Sequence, residues 1–154
     1  MHAEPDAVRV VGFGPPAYTL GMHQRAEIAL KLDGVQAARS FFEGCIANAD
    51  PCVENLWVAH VDGEARCLHL TRHEGDETGA RFPIKSILSD ALRHHSAGIL
   101  LAHNHPSGDA NPSEADCRLT RRLAAAAEAL DCTILDHLVF AGSECASLRR
   151  LGFL

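Results

Sequence analysis

A short apolar run, Gly98–Ala102 (GILLA), leads without a break into His103-Asn104-His105-Pro106. A short, wholly apolar run of this kind marks a strand covered on both faces, so the chain must supply layers above and below it. The same run sets the chemistry at its end. In an extended chain residues i and i+2 point to one side, so His103 and His105 can converge on one point. Pro106, Gly108 and Pro112 punctuate a loop, and the helix that begins at Ser113 carries Asp116 in its first turn. There the carboxylate can swing back towards the strand end. Two imidazole nitrogens and one carboxylate oxygen leave a fourth position for water, as a catalytic zinc site requires. Bound zinc brings the pKa of such a water to about 7. Each piece has a plainer role as well. Ser113-x-x-Asp116 is also a capping box, and His-x-His is also strand-end polarity.

The rest of the pattern frames that segment. Gly12, Gly14, Pro15, Pro16 and Gly21 give residues 1–22 the composition of an arm, and a short helix is expected over His23–Leu32, before Asp33-Gly34. Val35, Ala38, Phe41, Phe42, Cys45, Ile46 and Ala49 share a helical face that Asp50-Pro51 stops. Asn55–Val61, the turn signal Asp62-Gly63 and Ala65–Leu70 form a hairpin, and polar Thr71–Arg81 is expected as a loop. Ile84–His95 suits a helix with Ile84, Ile87, Leu88, Ala91 and Leu92 inward. Ser113–Leu130 suits another, with Leu119, Leu123, Ala126 and Leu130 inward. Thr133–Phe140 completes the strands. The order α-β-β-α-β-α-β predicts an α/β fold: one mixed sheet flanked by helices in a three-layer arrangement.

The chain's 154 residues suit one domain, residues 23–154 with the arm outside it, and 47% apolar residues supply its core. A formal charge of −6 argues against a broadly basic surface for nucleic acid. Six cysteines without a C-x-x-C pair point to reduced thiols rather than to a zinc finger. No basic start precedes an apolar run and no 18-residue apolar stretch occurs. The expectation is therefore a cytoplasmic protein without a membrane span.

The spacing H-x-H-P, six residues, then S-x-x-D resembles the JAMM motif of the JAB/MPN metallohydrolases. AHNHPSGDANPSEAD, with Leu119–Leu123 and Leu135-Asp136-His137 downstream, resembles the RadC-like members in particular, from about Cys52 to Leu148. The resemblance implies a JAB/MPN (cytidine-deaminase-like) architecture with one zinc ion held by His103, His105 and Asp116. Ser113 would support the catalytic water or the oxyanion. It also implies an upstream glutamate as general acid/base. Glu54, which opens the NLWVAHV strand, fits that place, although it reads equally as an exposed strand-end acid. Asn55 is a weaker candidate for holding its carboxylate, and Glu74 and Glu77 are fallback bases. The activity implied is hydrolysis of peptide or isopeptide amide bonds, with a peptide or protein substrate.

RadC-like proteins are also associated with DNA repair, and a metal-binding interaction domain without turnover is a third alternative. The helix–hairpin–helix module common among these relatives has no counterpart in residues 1–32. The loop Arg72–Arg81, which borders the site, differs from the family's short R-G-T stretch, so substrate selection is what the resemblance implies least about. Among the other histidines, His94-His95 suit the negative end of a helix. His60 and His69 are expected to face solvent or a partner, His2, His23 and His73 to lie at the surface, and His137 to be structural ahead of the alternative that it backs a metal ligand. Arg118, Arg121 and Arg122 read as a solvated helix face.

Overall fold

The computed structural model describes residues 9–10, 30–75 and 82–154. In chain order these form β1 (Arg9–Val10), α1 (Val35–Ala47), β2 (Asn55–Val61), β3 (Cys67–Glu74) and α2 (Ile84–Arg93). They continue with β4 (Gly98–Asn104), α3 (Glu114–Glu128), β5 (Thr133–Ala141) and β6 (Glu144–Ser147). The strands make one six-stranded sheet in the order β1-β3-β2-β4-β5-β6. Only β4 and β5 run parallel, joined through α3; every other neighbouring pair is antiparallel.

Side-chain alternation divides the core between two faces. Trp57, Ala59, Val61, Leu100, Ala102 and Leu138 pack with Ala38 and Phe42 of α1. Leu56, Val58, Ile99, Leu101 and Ile134 pack with Ile87 and Ala91 of α2 and Leu123 and Ala127 of α3. The expected three-layer α/β arrangement is therefore present, and β4 is buried along its whole length. Gly98 opens β4 where a Cβ would stand 2.9 Å from Leu135 Cδ1 and 3.1 Å from Val61 Cγ2, so a larger residue there would have to push these side chains aside.

Several elements differ from expectation. The hairpin's second strand starts later, at Cys67, because Asp62 accepts the backbone N–H groups of Glu64 and Arg66 and holds a wider turn. It also runs further, since Thr71–Glu74 pairs with β2 out to Asn55↔Glu74 instead of forming a loop. The buried face of α3 is Cys117, Thr120, Leu123 and Ala127, while Leu119, Ala126 and Leu130 are only half-buried. Leu92 is 58% exposed at the end of α2. Of the expected helix at 23–32, residues 23–29 lie outside the described residues, and Lys31 forms an antiparallel bridge with Arg66. The arm, residues 1–22, lies outside them too except for Arg9–Val10, which pairs with Arg72 and Thr71 at the sheet edge. No helix among the described residues is long and apolar enough to cross a membrane.

Candidate metal centre

The strand end, the following loop and the start of α3 bring His103, His105 and Asp116 together. His103 Nε2 and His105 Nε2 are 2.8 Å apart, and Asp116 Oδ2 stands 3.4 Å from the first and 3.2 Å from the second. Donors on a tetrahedral zinc with bonds of 2.0–2.2 Å stand about 3.4 Å apart, so these atoms already have ligand spacing. Glu54 Oε1 is further out, 4.0 Å from His103 Nε2 and 3.9 Å from His105 Nε2. Its side chain is 29% exposed against 5% for His103, so it borders the centre from the solvent side.

The hydrogen bonds fix which nitrogen of each ring is free. His105 Nδ1 lies 2.7 Å from the carbonyl of Asp109, which can only accept, so Nδ1 carries the hydrogen and Nε2 a lone pair. The loop that presents this carbonyl turns at Gly108, whose φ of +85° suits glycine. For His103 the assignment passes through two neighbours. Thr120 Oγ1 donates its single hydrogen to the carbonyl of Asp116 at 2.6 Å and so accepts from His137 Nδ1 at 2.7 Å. Burial keeps His137 neutral, well below the usual imidazole range. Its Nε2 therefore accepts from His103 Nδ1 at 2.7 Å, and His103 Nε2 is also left with a lone pair. Two lone pairs facing each other across 2.8 Å repel unless a proton or a metal cation lies between them. The donor set thus fits a cation.

The charges agree. Burial alone would raise the Asp116 carboxyl, but where protons occupy the two Nε2 atoms in place of a cation, hydrogen bonds and charge from His103 and His105 outweigh it and hold the group well below the usual carboxylate range. Asp116 in turn raises His105 above the usual imidazole range. The capping box and the site share atoms. Ser113 Oγ accepts the N–H of Asp116 at 3.0 Å, and Asp116 Oδ2 accepts the N–H of Ser113 at 2.8 Å while facing both histidines. Capping therefore aims the carboxylate at the imidazoles.

Residues that the pattern did not mark complete the picture. Asn104, between the two histidines, accepts the N–H of Asn55 at 2.8 Å and donates to the carbonyl of Val53 at 2.9 Å. Its amide extends the β2–β4 ladder by one rung and pins the backbone on both sides of Glu54. The Glu54 carbonyl accepts from Gly75 N–H at 2.9 Å. Asn55 does not hold the Glu54 carboxylate: its Nδ2 donates to Val53, and its Oδ1 is buried without a partner among the described residues. His137 is not merely structural, since it bonds His103. Its neighbour Asp136 is the structural one, accepting from the backbone N–H of His137 and Arg149 and from the Ser147 hydroxyl. Glu74 pairs with Arg72, away from the centre, and Glu77 lies outside the described residues. Arg118, Arg121 and Arg122 are exposed, with Arg121 over the Phe153 ring.

Among known proteins, the family model of the RadC-like JAB domain matches residues 32–153. A UPF0758 protein of Bordetella petrii is 35% identical over 121 residues, 77% of this chain and 52% of the relative. A UPF0758 protein of Flavobacterium johnsoniae is 32% identical over 142 residues, 88% of this chain and 58% of the relative. One from Cellvibrio japonicus is 44% identical over 81 residues, 53% of this chain and 36% of the relative. The chain spans about half the length of the curated relatives it matches.

Proposed function

Since the chain belongs to the RadC-like JAB domain family, we propose that it is a zinc-dependent hydrolase of peptide or isopeptide amide bonds. His103, His105 and Asp116 would hold the metal. The observation that carries this reading is the pair of imidazole lone pairs facing each other across 2.8 Å with a carboxylate beside both. Zinc held there would supply a Lewis acid that polarises the scissile carbonyl and brings the pKa of a water to about 7.

The chain's own groups account for the remaining steps. Glu54 Oε1 lies 3.9–4.0 Å from the histidine nitrogens, a gap that leaves room for water, on a backbone pinned by Asn104 and Gly75. It takes the proton from the attacking water and delivers it to the leaving amine. Ser113 Oγ already accepts the Asp116 N–H, which leaves its own hydrogen to donate to the developing oxyanion. His137 and Thr120 hold His103 in the tautomer that keeps Nε2 free.

The test is a peptide and isopeptide library turned over by the zinc-loaded protein, with Glu54→Gln as the control. The variant should keep its zinc and lose about 10²–10⁴ in rate, the usual span of general acid–base catalysis. His105→Ala with Asp116→Ala should lose one equivalent of zinc and all turnover. Unchanged turnover in Glu54→Gln would remove that residue as the base. Full zinc retention in the double variant would overturn the centre itself.

A further inference from the structure

A second group of metal-ligating side chains lies on the same face of the sheet, at its opposite end. His60 in β2 pairs with His69 in β3, as Leu56 at the other end of β2 pairs with His103. Four residues of strand separate the two places, roughly 13 Å. Asp90 and His94 reach the same spot from the last turn of α2 and its C-cap. The His69 and His94 rings stack with centroids 4.0 Å apart and an interplanar angle of 18°, and His69 Nε2 is 3.9 Å from Asp90 Oδ2. One donor atom each from His69, Asp90 and His94 lies within 4.8 Å of the other two. All three side chains are half-buried.

An independent observation at this place is His60. The alternation of β2 assigns its position to the core beside Leu56 and Val58, yet an imidazole stands there, 0% exposed. Its Nδ1 meets Ser96 Oγ at 3.1 Å, and its Nε2 is buried with no hydrogen-bond partner among the described residues. Its ring centroid is 5.9 Å from that of His69 and 6.4 Å from that of His94. Burial pushes this imidazole down to about 4, which keeps it neutral. Buried polar atoms are almost always satisfied, so an orphaned nitrogen beside two further imidazoles and a carboxylate points to an absent partner.

We propose that His69, Asp90 and His94 form a second divalent-cation site, separate from the first and of the kind that suits zinc or another imidazole-preferring transition metal. The unpartnered His60 Nε2 would then bond a water that such a cation carries in its remaining position. Asp90 and His94 stand one helical turn apart on α2, the spacing that brings two side chains to one face. His94 also sits where the helix presents its negative pole, which favours a cation. Tetrahedral donors stand about 3.4 Å apart, so ligand atoms now within 4.8 Å of one another must draw in. The stacked His69 and His94 rings must splay until their in-plane lone pairs meet at one point. The cation would tie the C-terminal end of α2 to β3, stapling helix to sheet just before the chain enters β4.

The test is zinc stoichiometry by elemental analysis after chelation and equilibrium dialysis against zinc. Wild type should hold two equivalents and His69→Gln with His94→Gln one. His105→Ala with Asp116→Ala should also hold one, and the combined variant none. A His69→Gln, His94→Gln protein with the wild-type content overturns the second site and leaves the first untouched. Loss of metal only in the His105→Ala, Asp116→Ala protein, down to zero, overturns it equally. Imidazole nitrogen resonances of the wild type read the same question without a variant. The second equivalent of zinc should shift the ring nitrogens of His69 and His94, and no shift there counts against the site even if a variant fails to fold.

Discussion

Ring nitrogens decide whether the centre can work, and their states are set by neighbours far away in sequence. His103 Nε2 is free only because Thr120 spends its hydrogen on the Asp116 carbonyl and leaves His137 to accept from His103. Thr120→Val keeps the shape and removes both hydroxyl bonds. It should weaken zinc binding by about 10–100-fold, the usual loss when an outer hydrogen-bond partner of a metal-ligating histidine is removed. A zinc competition titration on the folded variant measures this, and an unchanged affinity would mean that the tautomer is not held through Thr120. His103, His105 and Asp116 were legible in the sequence because their spacing is local: a two-residue strand period, a loop and a helix start. His137 was not. It reaches His103 through the parallel β4–β5 pairing, which places it opposite Leu101, and no local spacing reports a strand register. Asn104 was hidden for a related reason, since its partners are Asn55, which opens β2, and Val53 in the turn before it. His60 and His69 alternate with apolar residues as strand residues do, but both faces of this sheet are covered, so the polar phase of the alternation turns inward as well.

At the scale of elements, the start of α3 does two jobs with the same side chains. The capping box stabilises the helix, and its carboxylate also faces the two histidines of the candidate centre. Substitutions at Ser113 separate these roles. Ser113→Ala should cost about 1 kcal/mol of folding stability through the lost cap, and turnover with it. Ser113→Asp keeps a good cap acceptor without a hydroxyl donor, so denaturant melts should show stability restored while turnover stays low. Recovery of turnover in Ser113→Asp would remove the hydroxyl from catalysis. The strand β3 shows where element boundaries escape sequence reasoning. Thr71–Glu74 is polar throughout and resembles a loop, yet its ladder continues to Asn55, and His69, Thr71 and His73 take the covered side. His73 even finds a partner there in Thr71 Oγ1 at 3.2 Å instead of lying at the surface. The edge of α2 misled in the opposite sense, because Leu92 continues the apolar stripe just where the helix runs out of sheet to cover.

For the molecule as a whole, a sheet covered on both faces carries the stability, and all six cysteines are free thiols. Burial pushes Cys45 and Cys67 up to about 11, while Cys117 and Cys132 are closed off in the core. Cys52 departs from the expectation of buried thiols, for it is exposed in the turn after α1. Iodoacetamide at pH 8 should therefore alkylate Cys52 first, and peptide mapping should find Cys117 and Cys132 unmodified until the chain unfolds. Early modification of either buried thiol would show that the core opens far more readily than its packing implies.

The three candidate metal ligands all come from one continuous stretch, residues 103–116, whereas Glu54 arrives from β2, on the other side of β4. Grip and turnover are thus separable. On the proposed reading, β4, α3 and the loop between them would hold a cation without any residue of the hairpin. On the same reading, the Asn104 amide, by closing on Val53 and Asn55, is what would hold Glu54 beside such a cation.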